Sequence, residues 1–220
     1  MNTTLPPTLH IIDFETSGLM PGAGGRPTEV AIVKLQGGQV VDRFASLMNA
    51  EVVIPPFITQ LTGITNAMVA SAPPAAEVMA AACDFVGEDG ALIAHNAGFD
   101  QKFWQTELRR IDRPHHHPFA CTVLLSRRLY PEAPNHKLGT LVDYHGLPRT
   151  GQAHRALADA EMTAALVARI CDDLHTRHGL PQVDHPTLLA LQSCGIKRLP
   201  ALLHRLAQPT HQESLPCPTT

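Results

Sequence analysis

The stretch from Leu9 to Gly18 predicts a β-strand, in which the period of two places Ile11 on one face and Ile12 on the other. Asp13 and Glu15 fall on one face of this strand, and Phe14 falls on the other. The pattern therefore places two carboxylates side by side near the end of the first strand.

Two more strand-like runs follow a loop that is rich in glycine and proline. They cover Glu29–Leu35 and Gln39–Leu47, and the Gly37-Gly38 pair between them is typical of a tight hairpin. We therefore expect the chain to open with three antiparallel strands.

Beyond the hairpin, helical patterns mix with short apolar runs, which indicates an α/β domain. The helical period is clear in several segments, and the short runs between them predict buried strands. The predicted helices are Ala75–Phe85, Gly98–Ile111, Val123–Leu129, Leu138–Tyr144 and Arg155–Leu174, and the predicted strands are Ala91–Ala94 and Pro118–Thr122. Together with the hairpin, these segments predict a five-stranded sheet flanked by helices.

The part of the chain after residue 180 has a different pattern. Pro186–Leu206 predicts two short helices that meet at Gly195. Gln208–Thr220 has three prolines and no apolar period, which predicts a disordered tail. We therefore divide the chain into a domain over 1–180, a helical hairpin over 181–207 and a tail over 208–220.

Composition narrows the class of protein. The chain has 220 residues, 44% of them hydrophobic, which is enough for one domain with a core of its own. Its five cysteines form no C-x-x-C pair, so neither a zinc ribbon nor a disulfide scaffold is indicated. A formal charge of -3 argues against a protein that coats nucleic acid through bulk positive charge.

The sequence also bears on location. The N-terminal stretch lacks the basic run and the apolar core of a signal peptide, and no apolar run approaches the roughly 20 residues that cross a bilayer. We therefore expect a cytoplasmic protein in a reducing compartment, with no membrane partner.

Two further carboxylates fall on the apolar faces of predicted helices. Counting in steps of three and four residues places Asp100 in line with Trp104, and Asp159 in line with Leu166. A buried carboxylate needs a partner, and neither face carries a lysine or an arginine. A divalent cation held by these two acids and by the two acids of the first strand would meet that need.

His154 lies five residues before Asp159, a spacing that would turn it about 140° away on an ideal helix. It therefore belongs on the loop that enters the helix, where it could overhang the acids and act as general base for an attacking water. Taken singly, Asp100 could be an early-helix acid and His154 one of thirteen histidines without a role. The order and environment of these residues together favour the catalytic interpretation.

Three segments carry these residues: DFETSG at 13–18, AHNAGFD at 94–100 and HRALADA at 154–160. They resemble the three motifs of the DEDDh 3'-5' exonuclease superfamily, which includes the proofreading epsilon subunit of bacterial DNA polymerase III. TEVA at 28–31 and GIT at 63–65 resemble shorter signatures of the same superfamily. The resemblance covers about residues 9–172 and does not extend to residues 180–220.

The resemblance implies a ribonuclease-H-like α/β fold with a five-stranded mixed sheet whose first three strands are antiparallel. It also implies two Mg²⁺ or Mn²⁺ ions held by Asp13, Glu15, Asp100 and Asp159, with Asp13 bridging the ions and His154 acting as the general base. Two such ions would stabilise the entering and the leaving oxygen during hydrolysis of a phosphodiester bond, which releases nucleoside 5'-monophosphates.

Six residues in or near the motifs are candidates for contacts with the terminal nucleotide. They are Phe14, Thr16, Thr65, His95, Asn96 and Phe99. Phe14 has an alternative role, because alternation along the strand places its side chain on the face opposite the acids, where it could pack in the core.

The leading functional hypothesis is a metal-dependent 3'-5' exonuclease that acts on single-stranded or frayed 3' ends of DNA in proofreading or repair. An RNA-trimming exonuclease of the same superfamily is the alternative, because the motifs do not encode a contact to the 2'-OH. The C-terminal region could bind a DNA polymerase or another replication or repair partner. A module with that recruiting role alone is disfavoured, since it would not need buried acids.

Overall fold

The computed structural model of the protein describes residues 7–151 and 154–208. Its strands are β1 (Thr8–Thr16), β2 (Pro27–Gln36), β3 (Gln39–Leu47), β4 (Leu92–Ala94) and β5 (Phe119–Cys121). They form one sheet in the order β3-β2-β1-β4-β5. β1, β2 and β3 pair antiparallel, whereas β4 runs parallel to β1 and to β5. The predicted five-stranded mixed sheet is confirmed.

Helices connect the strands and follow the last of them. They are α1 (Pro56–Thr62), α2 (Asn66–Ala70), α3 (Ala75–Val86), α4 (Gly98–Arg110), α5 (Thr122–Leu129), α6 (Leu138–Tyr144), α7 (Ala156–His178), α8 (His185–Ser193) and α9 (Leu199–Ala207). The sequence did not predict α1 and α2, because helices of 7 and 5 residues are too short to show a clear period of 3.6.

The two faces of the sheet have separate cores, as the alternation along β1 requires. Ile11 belongs to the core under α7, which packs on β1 and β2, and this core also includes side chains of α5, α6, α8 and α9. Ile12 and Phe14 belong to the core under α3 and α4. Asp13 and Glu15 therefore lie on the α7 face, at the end of β1.

The C-terminal hairpin of α8 and α9 packs on the domain through buried leucines that share the core of α7. Gln192 of α8 also binds the outer strand of the sheet. Its Oε1 accepts a hydrogen bond from the Cys121 N–H at 2.6 Å, and its Nε2 donates to the Phe119 carbonyl at 3.1 Å. These bonds satisfy backbone groups on the outer edge of β5, the last strand of the sheet in the described part of the chain.

Two helices, α8 and α9, lie on either side of Gly195, whereas the predicted disordered tail lies almost entirely outside the described residues. Within residues 7–151 and 154–208, no helix combines the length and the hydropathy that a membrane-spanning segment requires.

Candidate active site

The carboxyl end of β1 brings Asp13 and Glu15 to the site and turns Phe14 away from it. The Phe14 side chain is 4% exposed and packs in the core under α3 and α4. Of the two roles considered for Phe14, the structure shows the packed side chain. Only the backbone of Phe14 reaches the acids.

Asp100 enters the site from the first turn of α4, directly after β4. It is 2% exposed, and its Oδ1 accepts a hydrogen bond from the Phe14 N–H at 3.2 Å. Burial raises the pKa of Asp100 to about 8, and the negative charge of Glu15 adds to this effect. Asp100 therefore joins α4 to β1 while it contributes a carboxylate to the site.

Asp159 and His154 come from the beginning of α7. Asp159 lies in the first turn, and His154 lies on the loop before the helix, as the sequence predicted. His154 has a φ of 60°, a left-handed conformation that residues other than glycine adopt infrequently. Ligand atoms of Glu15, His154 and Asp159 all lie within 4.8 Å of one another.

Asp13 lies within the electrostatic reach of the other three acids. Burial raises its pKa well above the ordinary range, and the charges of Asp100, Glu15 and Asp159 raise it further. Burial and the charge of Asp159 likewise raise the pKa of Glu15 to about 8, and burial raises the pKa of Asp159. The structure therefore brings all four predicted acids into one cluster in which ionisation is costly.

This donor set fits divalent cations. Hard cations prefer carboxylate oxygens, and their positive charge would offset the cost of ionising these buried, neighbouring carboxylates. Glu15, Asp159 and His154 are close enough to share one ion. The charges of Glu15, Asp159 and Asp100 all act on Asp13, so its carboxylate lies within reach of the same group.

Glu29 and Arg155 border the acids and were not identified as site residues from the sequence. Glu29 is 5% exposed on β2 and lies opposite Glu15 in the β1–β2 register. Its carboxylate accepts hydrogen bonds from Arg155 Nη2 at 2.7 Å and from Arg155 Nε at 3.1 Å. A glutamate directly before the apolar run at 30–33 was the sequence signal that could have indicated this pair.

The predicted nucleotide contacts divide into residues at the site and residues with structural partners. Thr16 follows Glu15 on β1, and its hydroxyl donates to the Gly18 carbonyl at 2.8 Å. Asn96 is exposed, with a φ of 69°, just before α4. Phe99 is half-buried next to Asp100 and packs against Phe103, with ring centroids 5.0 Å apart.

Thr65 and His95 are each engaged within the protein. Thr65 caps α2, because its side chain accepts a hydrogen bond from the Met68 N–H at 3.2 Å. The His95 ring lies 2.8 Å from the Thr122 hydroxyl, and burial lowers its pKa to about 4, so the ring is neutral at physiological pH. A contact of any of these residues with a nucleotide stays a prediction.

Four clustered acids at one end of a mixed sheet, with a histidine on the adjoining loop, are a set of groups suited to metal-dependent hydrolysis. The family model for the RNase T exonucleases matches residues 10–167, which is more than half of the chain. The chain therefore belongs to the exonuclease family, within the DEDDh 3'-5' exonuclease superfamily, and the resemblance found in the sequence is confirmed.

Two curated relatives illustrate the match. The chain is 33% identical over 211 residues to the PolC-type DNA polymerase III of Bacillus subtilis (strain 168). This match covers 87% of this chain and 14% of the polymerase. It is 35% identical over 203 residues to the 3'-5' exonuclease DinG of the same organism. This match covers 89% of this chain and 20% of that protein. The chain thus spans only a small part of the length of these relatives.

Solved structures confirm the predicted ribonuclease-H-like fold. Exonuclease X is 29% identical with a TM-score of 0.65, and the match covers 84% of this chain and 99% of that one. The nuclease domain of 3'hExo, a DEDDh family member, is 22% identical with a TM-score of 0.64, and the match covers 76% of this chain and 93% of that one.

Proposed function

We propose that the protein removes nucleotides one at a time from the 3' end of DNA, by hydrolysis of the terminal phosphodiester bond. The observation that carries this proposal is the cluster of Asp13, Glu15, Asp100 and Asp159, whose pKa values are all raised by burial. Such a cluster is stable in its ionised form only next to cations, and His154 lies at its edge.

In this proposal the carboxylates of Glu15, Asp159, Asp13 and Asp100 would together hold two Mg²⁺ or Mn²⁺ ions. When bound, the ions would stabilise negative charge on the entering and the leaving oxygen of the phosphoryl group. A ring nitrogen of His154 accepts the proton of the attacking water, so the imidazole must be neutral when the reaction begins. The exposed position of His154 leaves it free to meet that water.

DNA is the proposed substrate on the strength of the relatives. Exonuclease X was solved in complex with 5' overhanging duplex DNA, and the PolC-type relatives are DNA polymerases. We propose a proofreading or repair role on the same grounds, with a DNA polymerase as the partner. Single-stranded or frayed 3' ends are the proposed form of the substrate.

RNA is the second candidate substrate. The nuclease domain of 3'hExo was solved bound to rAMP, and another structure of this fold shows a 3'-exonuclease that recognises a histone mRNA stem-loop. These proteins share the fold at 22% and 19% identity. The two candidates differ in whether the site contacts the 2'-OH of the terminal nucleotide.

The test is a time course on oligonucleotides that carry a 5' label, because shortening from the 3' end then gives a ladder of labelled products. DNA and RNA of the same sequence are compared in Mg²⁺ and in Mn²⁺, with a 3'-blocked oligonucleotide and the Asp13→Ala variant as controls. We expect a ladder on DNA that both controls abolish. A ladder on RNA alone would select the second candidate, and an internal cut or release of the labelled 5' nucleotide would contradict exonuclease action from the 3' end.

A further inference from the structure

The beginning of α7 is capped from a distant strand. Its N-cap residue, Arg155, makes no side-chain cap hydrogen bond of its own. Instead, Glu29 Oε2 on β2 accepts a hydrogen bond from the Ala156 N–H at 3.0 Å. An acidic side chain at this position satisfies a free N–H group of the helix end and interacts favourably with the helix dipole.

Arg155 completes the attachment. Its two donor groups contact both oxygens of the Glu29 carboxylate, at 2.7 and 3.1 Å. A two-donor contact of this kind fixes orientation as well as distance. Because Glu29 is 5% exposed, the carboxylate of the pair is largely shielded from the solvent screening that weakens surface ion pairs, although the Arg155 side chain is 36% exposed.

The attached residues adjoin the proposed cation site on both sides. Glu29 lies opposite Glu15 in the β1–β2 register. On the helix side, His154 immediately precedes Arg155, and Asp159 lies in the first turn of α7. The pair thus connects the strand next to Glu15 with the short segment that contains His154 and Asp159.

We propose that the Glu29–Arg155 pair is a positioning device for the cation site, which holds Asp159 at the distance from Glu15 that a divalent cation requires and keeps His154 beside them. This inference rests on the proposed function. The charge of Asp159 contributes to the raised pKa of Glu15, so these two neighbouring carboxylates repel each other when both are ionised. Without an attachment, the beginning of α7 would relax away from β1, and the site would bind its cation less tightly.

The sign of the change in Mn²⁺ affinity separates positioning from simple electrostatics. If the pair acted only through its charges, removal of Arg155 would tighten Mn²⁺ binding, because a nearby positive charge is lost. If the pair positions the ligands, Glu29→Ala and Arg155→Ala should both weaken binding, each by about 10-fold, the lower end of the usual effect of residues that orient metal ligands. The double variant should be no weaker than the poorer single variant, because the two residues act as a unit.

The experiment is a titration of each variant with Mn²⁺, in which electron paramagnetic resonance measures the free ion. Arg43→Ala is the matched control, since Arg43 on β3 binds Glu161 of α7 at 2.6 Å and so attaches the same helix to the sheet beyond its first turn. We expect Arg43→Ala to bind Mn²⁺ like the wild type. Unchanged or tighter binding by Arg155→Ala, or equal weakening by Arg43→Ala, would overturn the proposal.

Arg155→Lys provides a second test if the alanine variant does not fold. Lysine keeps the charge and lacks the two-donor geometry, so positioning predicts weaker Mn²⁺ binding for this variant also, and binding like the wild type would overturn the proposal. The oligonucleotide assay separates this proposal from the proposed function. Mn²⁺ affinities that follow the expected pattern in a protein without nuclease activity would refute only the function. An active enzyme whose variants all bind Mn²⁺ normally would refute only the positioning role.

Discussion

The beginnings of α4 and α7 each supply an acid to the site, but they are attached to β1 and β2 in different ways. In α4, the acid of the site is itself the attachment, because the buried Asp100 carboxylate, 2% exposed, accepts a hydrogen bond from the Phe14 N–H. In α7, Glu29 and Arg155 make the attachment, and Asp159 has no such structural bond to β1 among the described residues. In α4, one residue therefore both attaches the helix and supplies the acid. In α7, different residues have these two roles.

The comparison predicts that the acids at the beginnings of α4 and α7 act together only when cations bind to them. Excess EDTA should abolish nuclease activity, and Mg²⁺ or Mn²⁺ should restore it. Ca²⁺ should not restore it, because its coordination is longer and more flexible. The measurement is the rate of mononucleotide release before and after each addition. Full activity in excess chelator would show that the acids of α4 and α7 do not act through a cation.

On the α7 side, a variant of His154 tests whether this residue acts as the base or as a cation ligand. His154→Ala should lower the rate by about 10²- to 10⁴-fold, the usual contribution of a positioned general base. Its Mn²⁺ affinity should stay near that of the wild type, because all four carboxylates remain. The measurement pairs turnover with the Mn²⁺ titration, and Asp159→Ala serves as the control that should lose both. A large loss of Mn²⁺ affinity in His154→Ala would make His154 a cation ligand rather than the base.

Alanine substitutions of the two helix acids should separate the dual role of Asp100 from the single role of Asp159. Both variants should lose activity, but only Asp100→Ala leaves the buried Phe14 N–H without an acceptor, a loss of about 1 to 3 kcal/mol in the free energy of unfolding. Denaturant unfolding in EDTA at about pH 5 measures the difference, and Asp100→Asn, which keeps an acceptor oxygen, is the control. Equal stability of Asp100→Ala and Asp159→Ala would refute the distinction.

The smallest expected effect is the pH dependence of stability in EDTA. The pKa of Asp100 is raised to about 8 in the folded protein, so folding favours its protonated form. The stability from this group is therefore complete below its unfolded pKa of about 4 and is lost as the pH rises toward about 8.

Asp100→Asn does not titrate and should escape that loss. Its melting temperature relative to the wild type should rise by a few degrees between about pH 5 and pH 8. The melting temperature of Asp159→Asn should rise less over the same range, because Asp159 is more exposed than Asp100. Added Mg²⁺ should reduce the difference in melting temperature between the wild type and each of these variants at pH 8. A melting-temperature difference that is independent of pH would contradict the raised pKa of Asp100.

Several features of the fold and the site were predictable because they depend on neighbours in the sequence. The period of two in β1 placed Asp13 and Glu15 on one face and Phe14 on the other, and the structure agrees. The spacing from Asp159 placed His154 on a loop, and α7 begins two residues after it. The short helices α1 and α2 were missed because so few residues cannot display a helical period.

Other features depend on residues that are far apart in the sequence. The Arg155–Glu29 pair spans 126 residues, the Phe14–Asp100 hydrogen bond spans 86, and the contact of Gln192 with Cys121 spans 71. A pattern of polarity shows that a buried acid needs a partner, but it does not show which distant group meets it. That pairing is set when strands and helices pack.

The sequence by itself determined the succession of the five strands and of the helices from α3 onward, the identity of the four acids and the location of His154 outside a helix. These properties follow from local periodicity, because each residue's direction depends on its position within one strand or helix. The tertiary structure alone decided how Asp100 and Asp159 are held, which of the candidate nucleotide contacts are already engaged and that Glu29 caps α7. These properties depend on distances between separate elements, which packing of the two cores on either side of the sheet establishes.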